Sequence, residues 1–185
     1  MDDKYFGEGI AKCGKFIYQL TWKEKEVIKY NAGNMEIVEK FEINPNREGW
    51  GLSAFKDDLL LATDGSDKIY VLDCRNKLEI IDTLYVKYHN FSMFKLNDLI
   101  YVDNYIYLNR YYDNKILKVN PINGNVEKVY DMSSLLEYEF YKNTLDNDSY
   151  NHGFVLNGIA FNPKNKKFLL TGKKWGFYYE VDFFK

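Results

Sequence analysis

One unit of sequence returns four times in this chain, and that recurrence limits the fold more than any other property. Gly9, Gly51, Asp98 and Gly158 serve as reference points; each follows a polar or aromatic residue (Glu8, Trp50, Asn97, Asn157) and leads into an apolar stretch. Thr21, Thr63 and Arg110 stand 12 residues after their reference points and Thr171 stands 13 after. Tyr30, Leu72 and Val119 stand 21 after and Val181 stands 23 after. The starts lie 42, 47 and 60 residues apart. Units of four short antiparallel strands at roughly this spacing are the signature of a β-propeller, in which each sheet buries its faces against its neighbours. A solenoid would repeat at shorter intervals, and an open sandwich would not repeat. The expected fold is therefore all-β, a propeller whose blades cover about 6–43, 49–86, 96–130 and 156–183.

The strands are read from short apolar runs bounded by turn formers. Phe16-Ile17-Tyr18, Leu59-Leu60-Leu61-Ala62, Ile69-Tyr70-Val71-Leu72 and Lys167 to Leu170 are examples, and Asn120-Pro121-Ile122-Asn123-Gly124 is a strong turn signal. Residues 131–155 break the alternation. Met132 to Leu136 with Glu137 and Glu139 reads as a short helix opened by a capping Asp or Ser, and 143–152 reads as a polar surface loop. Lys87 to Lys95 reads as a plain connector. The last copy is one strand short of four.

Composition narrows the partners. The net charge of -2 comes from interspersed signs with no basic block, so no nucleic-acid partner is expected. No apolar run approaches the roughly 20 residues that cross a bilayer, and no membrane partner is expected either. Met1-Asp2-Asp3-Lys4 has none of the apolar character of a secretory leader. Cys13 and Cys74 stand alone, each at the edge of an expected strand, and read as two free thiols without metal-ligand spacing or a disulfide framework. His89 and His152 read as dispersed surface residues.

Propeller geometry then predicts where chemistry gathers. The innermost strand of each blade starts beside the axis, so Glu8, Trp50, Asn97 and Asn157 should converge on one mouth of the channel. A second ring should come from the ends of the next strands, where Trp22, Asp64, Tyr111 and Lys173 stand. A carboxylate, an ammonium, amides and several aromatics aimed at one space describe a pocket. The duller reading has Asn157 and Asp64 satisfying backbone groups around the axis.

The same residues carry a family resemblance. Phe6-Gly7-Glu8-Gly9, Gln19-Leu20-Thr21-Trp22, Glu48-Gly49-Trp50-Gly51-Leu52, Thr63-Asp64-Gly65-Ser66, Leu96-Asn97-Asp98-Leu99, Leu156-Asn157-Gly158-Ile159-Ala160 and Thr171-Gly172-Lys173-Lys174-Trp175 resemble the successive motifs of the plant and bacterial glutamine cyclotransferases. The resemblance runs in order from Tyr5 to Val181. It implies a five-bladed propeller, of which about four blades are represented, and an enzyme that converts the N-terminal glutamine of a peptide or protein to pyroglutamate with release of ammonia. Two departures stand out. The family's first blade, with its Tyr-Thr-Gln-Gly motif, has no counterpart, which should leave unpaired edges and an exposed apolar face. Tyr111 occupies a place where the family tends to show tryptophan.

Under that resemblance Glu8 is the expected proton carrier, taking a proton from the attacking α-amine and passing it to the departing ammonia. Lys173 and Asn97 are the expected donors to the oxyanion, with the Trp50 N–H as a third. Phe6, Trp22, Trp50 and Tyr111 should wall the pocket, and the chemistry asks for no metal or other cofactor. Two further readings come from different classes: a non-catalytic propeller that binds a peptide or protein partner, and an incomplete fragment with no independent function.

Overall fold

The structure, a computed structural model, describes residues 3–43 and 47–185; Met1 and Asp2 of the opening polar tetrad lie outside the described residues. Its sheets follow the repeat. The first contains β1 (Gly7–Cys13), β2 (Phe16–Thr21), β3 (Glu26–Asn31) and β4 (Ile37–Glu42), paired in that order. The second contains β5 (Leu52–Ala54), β6 (Leu59–Ala62), β7 (Lys68–Asp73) and β8 (Glu79–Tyr85). A small hairpin of β9 (Lys87–Tyr88) and β10 (Phe91–Ser92) occupies what the sequence suggests is a plain connector. The third sheet contains β11 (Leu96–Val102), β12 (Tyr105–Arg110), β13 (Lys115–Val119) and β14 (Val126–Asp131). Two helices follow, α1 (Ser133–Tyr141) and α2 (Asn147–Asn151), and then a three-stranded sheet of β15 (Leu156–Asn162), β16 (Lys167–Gly172) and β17 (Tyr179–Val181).

Period-two alternation explains the seams between sheets, because each strand sends alternate side chains to opposite faces. Tyr18, Leu20 and Val27 of the first sheet pack with Leu60, Ala62 and Leu72 of the second. Leu61 and Ile69 on the other face of the second sheet meet Leu99, Ile106 and Leu108 of the third. Tyr107 and Ile116 on the far face of the third meet Phe168 and Leu170 of the fourth, with Phe183 stacked on Tyr107 at 5.8 Å. Four sheets joined by three continuous apolar seams form the propeller arrangement. On the outer face of the first sheet, part of the expected apolar exposure is covered. Tyr5 lies with Ile28 and Tyr30, its hydroxyl bonded to Glu26 at 2.5 Å, while Ile10 is left 54% exposed.

Toward the axis the sheets come together as bare backbone. A Cβ on Gly9 would meet Leu52 N at 2.3 Å, and one on Gly51 would meet Asn97 O at 2.3 Å, so only glycine lets adjacent blades approach this closely. The Gly9 N–H donates to Trp50 O at 2.7 Å, and the Thr63 hydroxyl donates to Asn97 O at 2.7 Å, tying the first blade to the second and the second to the third.

Three further readings of the sequence need correction. Cys13 and Cys74 are not free thiols: they form a disulfide across the seam between the first two sheets, with Cα atoms 6.5 Å apart. The pairing of β1 with β2 and of β6 with β7 brings the end of β1 beside the turn after β7, a proximity that a separation of 61 residues hides. The N-cap of α1 is Met132, which makes no side-chain capping bond; Asp131 accepts from Ser133 N at 2.8 Å instead. The polar stretch 143–152 is not a plain loop, because Asp146 caps α2 by accepting from Ser149 N.

Candidate active site

The site is built on a defect that three inner strands share. Between Gly7 and Ile10, Glu8 and Gly9 together face Leu20 alone. Between Leu96 and Leu99, Asn97 and Asp98 face Asn109, and between Leu156 and Ile159, Asn157 and Gly158 face Thr171. Each is a β-bulge, which re-aims a side chain that regular pleating would send into a seam. Glu8, Asn97 and Asn157 consequently line the central channel. In the second blade β5 begins only after Gly51, and Trp50 lies ahead of it with its N–H bonded to Thr63 O at 3.1 Å.

The second ring arises from one repeated backbone bond. The residue after the second strand donates its N–H to the residue just ahead of the inner strand: Trp22 to Phe6 O at 3.1 Å, Tyr111 to Lys95 O at 2.8 Å, and Lys173 to Val155 O at 3.0 Å. These hairpin closures carry Trp22, Tyr111 and Lys173 to the same mouth that the bulges supply.

There they meet in a cavity of about 290 Å³ lined by Phe6, Glu8, Trp22, Trp50, Asn97 and Tyr111 together with Lys173, His152, Gly153 and Phe154. The rings meet edge to face, Phe6 on Trp22 at 5.7 Å and Trp50 on Tyr111 at 5.9 Å. The Lys173 Nζ stands 5.1 Å from the centre of the Tyr111 ring and 6.0 Å from that of Phe6. A larger open channel of about 1010 Å³ continues inward between the inner strands, with Asn157 and Asp98 in its wall.

Burial pushes the Glu8 carboxyl up to about 7; Lys173 pulls it down, while Asp98 and Glu48 push it further up. Burial likewise raises Asp98, to about 6, against the two backbone N–H groups of Ile159 and Leu99 that it accepts at 2.9 and 3.0 Å. Burial also raises the Tyr111 hydroxyl, aided by Tyr112 and Glu8. A carboxyl that changes charge near neutrality, facing an ammonium in an aromatic enclosure, can carry a proton in both directions at ordinary pH.

Not every expected residue arrives. Asp64 stands apart from this cavity, accepting from Ser66 N and Oγ and from the Tyr70 hydroxyl, which makes it a turn organiser. Asn157 lines the channel outside the smaller cavity. The Trp50 N–H, expected as an oxyanion donor, is engaged by Glu48 Oε2 at 2.9 Å, and the same oxygen accepts from Trp22 Nε1 at 2.7 Å. His152 is exposed as expected, yet it stands at the rim with Gly153 and Phe154, delivered there by the insertion between the last two sheets. The sequence signal for Glu48 is its place in Glu48-Gly49-Trp50, a carboxylate two residues before a tryptophan. His152 carried no signal.

Among the described residues no group of three or more His, Cys, Asp or Glu side chains is placed to hold a metal ion. Among the same residues no helix is long and apolar enough to cross a membrane.

Four blades around an axis, with an acid and an amine meeting in an aromatic cavity at one mouth, define a β-propeller of enzyme-like construction. Comparison with known proteins narrows the class. A family model for glutamine cyclotransferase matches residues 1–183, and the chain belongs to that family. It is 28% identical over 182 residues to the glutaminyl-peptide cyclotransferase of Arabidopsis thaliana, covering 98% of this chain and 54% of that protein. It thus spans about half the length of that curated relative. The crystal structure of Myxococcus xanthus glutaminyl cyclase superposes with a TM-score of 0.84 at 27% identity, over 97% of this chain and 73% of that one. The WD40 propeller domain of Doa1 shares the fold alone, with a TM-score of 0.56 at 10% identity over 90% of this chain and 48% of that one.

Proposed function

We propose that this chain is a glutaminyl-peptide cyclotransferase, converting the N-terminal glutamine of a peptide or protein to pyroglutamate and releasing ammonia. One observation carries the reading: Glu8 from the first blade and Lys173 from the last, 165 positions apart in sequence, face one small aromatic-walled cavity. A cavity of about 290 Å³ lies at the lower end of the range of small-ligand pockets, roughly 300–1,000 Å³, and suits one terminal residue better than an extended peptide.

In this reading the neutral α-amine attacks its own γ-carboxamide carbon. A C–N bond forms, the carbonyl electrons move to oxygen, and the attacking nitrogen becomes acidic. Glu8, whose carboxyl titrates at about 7, takes that proton and hands it to the former amide nitrogen. The C–N bond to that nitrogen then breaks, the carbonyl re-forms, and ammonia leaves. Lys173 and the Asn97 amide neutralise the developing oxyanion. Phe6, Trp22, Trp50 and Tyr111 exclude water and hold the chain folded for ring closure. The steps need proton transfer and charge neutralisation, which these side chains supply, and the reading is metal-independent; an unchanged rate in the presence of a chelator checks that point.

The test is ammonia release from a Gln-initiated peptide. Glu8→Gln is expected to lower kcat by about 10²–10⁴-fold while the thermal melt stays cooperative. Unchanged turnover in that variant would overturn the assignment of Glu8, and absence of turnover in the wild type would overturn the function.

A further inference from the structure

Glu48 takes no part in the proton transfers just described, and it stands outside the residues that line the small cavity. Its Oε2 nevertheless accepts two hydrogen bonds, from Trp22 Nε1 at 2.7 Å and Trp50 Nε1 at 2.9 Å. The two indoles belong to different blades. Trp22 follows β2 of the first, and Trp50 precedes β5 of the second. The backbone beside Glu48 has little freedom to shift: a Cβ on Gly49 would meet Leu20 Cβ and Thr21 O at 2.7 Å each. The Trp50 ring lies against Gly65, where a Cβ would meet its atoms at 2.8 Å.

We infer that Glu48 is a positioning residue for the pocket: one carboxylate oxygen, shared by two indole N–H groups, fixes the angle between two walls and turns both polar edges away from the substrate. The inference rests on the cyclotransferase reading, in which those walls grip the glutamine side chain. Its physical content is selective. An indole has one donor, which seeks a partner when buried. If the Trp22 and Trp50 N–H groups pointed inward, they would compete with Lys173 and Asn97 for the carboxamide oxygen and would draw water into the cavity. Bonded outward to a charged acceptor, they leave only ring surface facing inward, and charge-assisted bonds of this kind are roughly twice as strong as neutral ones. The polar groups left to meet the substrate are then mainly those the chemistry uses. Glu48 also acts on Glu8 through its charge, alongside Lys173, Asp98 and Tyr111, which face the same carboxyl.

Two substitutions separate position from charge. Glu48→Ala removes both bonds. Glu48→Gln can keep a neutral oxygen in the same place while removing the charge. The chain contains three tryptophans, and the third, Trp175, donates to Phe154 O at 3.0 Å, which provides an internal reference. In ¹⁵N–¹H spectra, Glu48→Ala should move the Trp22 and Trp50 indole N–H signals upfield and leave that of Trp175 in place. KM for a Gln-peptide should rise about tenfold or more, the equivalent of one to two lost hydrogen bonds, with kcat changed less than about threefold. In Glu48→Gln, KM should rise less than in the alanine variant, and the acid limb of kcat/KM should move to lower pH. Adding Trp22→Phe to Glu48→Ala should cost less than the sum of the two single changes.

Three indole signals unmoved in both variants, or moved indoles with an unchanged KM, would overturn the inference. A loss confined to thermal stability would do the same. The spectra decide the orientation of the indoles whether or not the protein cyclises anything, and ammonia release by the wild type decides the cyclase reading separately.

Discussion

Glu139 and Glu8 are sent in opposite directions by their surroundings. Glu139, on α1, is fully buried, yet its carboxylate accepts from the Thr144 hydroxyl, from Gly176 N at 3.0 Å, from Phe177 N at 3.2 Å and from the Tyr179 hydroxyl at 2.7 Å. Burial alone would raise its pKa, but those donors together hold it below the ordinary carboxylate range. Glu8 accepts no such set of donors: burial is the largest influence on its carboxyl, charges at a distance modify it, and the group is carried up to about 7. The difference teaches that burial by itself does not make a carboxyl reactive. A carboxyl surrounded by donors is a fastener, here clamping the helical insertion to the connection that presents Lys173; one left short of donors is available for proton transfer.

The division can be broken from either side. The largest expected effect is on catalysis. Lys173→Met, which removes the ammonium but keeps most of the stem, should lower kcat by about 10²-fold or more with little change in melting temperature, as seen by ammonia release and a thermal melt. Next in size is the clamp. Glu139→Ala strands four donors and should destabilise the fold by about 3 kcal/mol in a denaturant titration, with ammonia release below the melt reduced far less than in Lys173→Met. An inverted pattern, catalytic loss at 139 and unfolding at 173, would erase the distinction.

The smallest effect separates the two glutamates by the sign of their pH response. Glu139 has a lowered pKa in the folded state, so its contribution is present above the unfolded value and is lost as pH falls through the folded one. Glu8 has a raised pKa, so the stability it lends is complete below the unfolded value and is lost as pH rises through about 7. Glu8→Gln should therefore melt above the wild type at pH 8 and lose that advantage at pH 5. Equal melting differences at both pH values would mean that the Glu8 carboxyl is not held up by its surroundings.

Much of this was legible in the sequence because propeller blades repeat. The spacing of Gly9, Gly51, Asp98 and Gly158 locates the inner strands, and the residue before three of them, Glu8, Asn97 and Asn157, lines the channel because a bulge re-aims it. What stayed hidden depends on contacts between distant segments. The Cys13–Cys74 bond crosses a seam, and nothing near either cysteine announces the other. Glu139 looks like any helical glutamate until the connection between β16 and β17 folds over it. Asp64 belongs to the same repeat position as Trp22 but turns aside, because Ser66 and Tyr70 offer it local donors. His152 reaches the rim only through α2, which a polar stretch gave little reason to expect.

The bulges in β1, β11 and β15 bear on how such a protein can change. At Glu8, Asn97 and Asn157 the ladder is already interrupted, so the side chain there answers to the space in front of it rather than to a neighbour across the sheet. The three positions are sockets of one pattern set in different blades, each a two-residue bulge facing a single residue across the sheet. On that geometry a substitution at one of them is expected to leave the rest of the ladder paired, and Asn157, which the proposed reaction leaves idle, is the first socket to load.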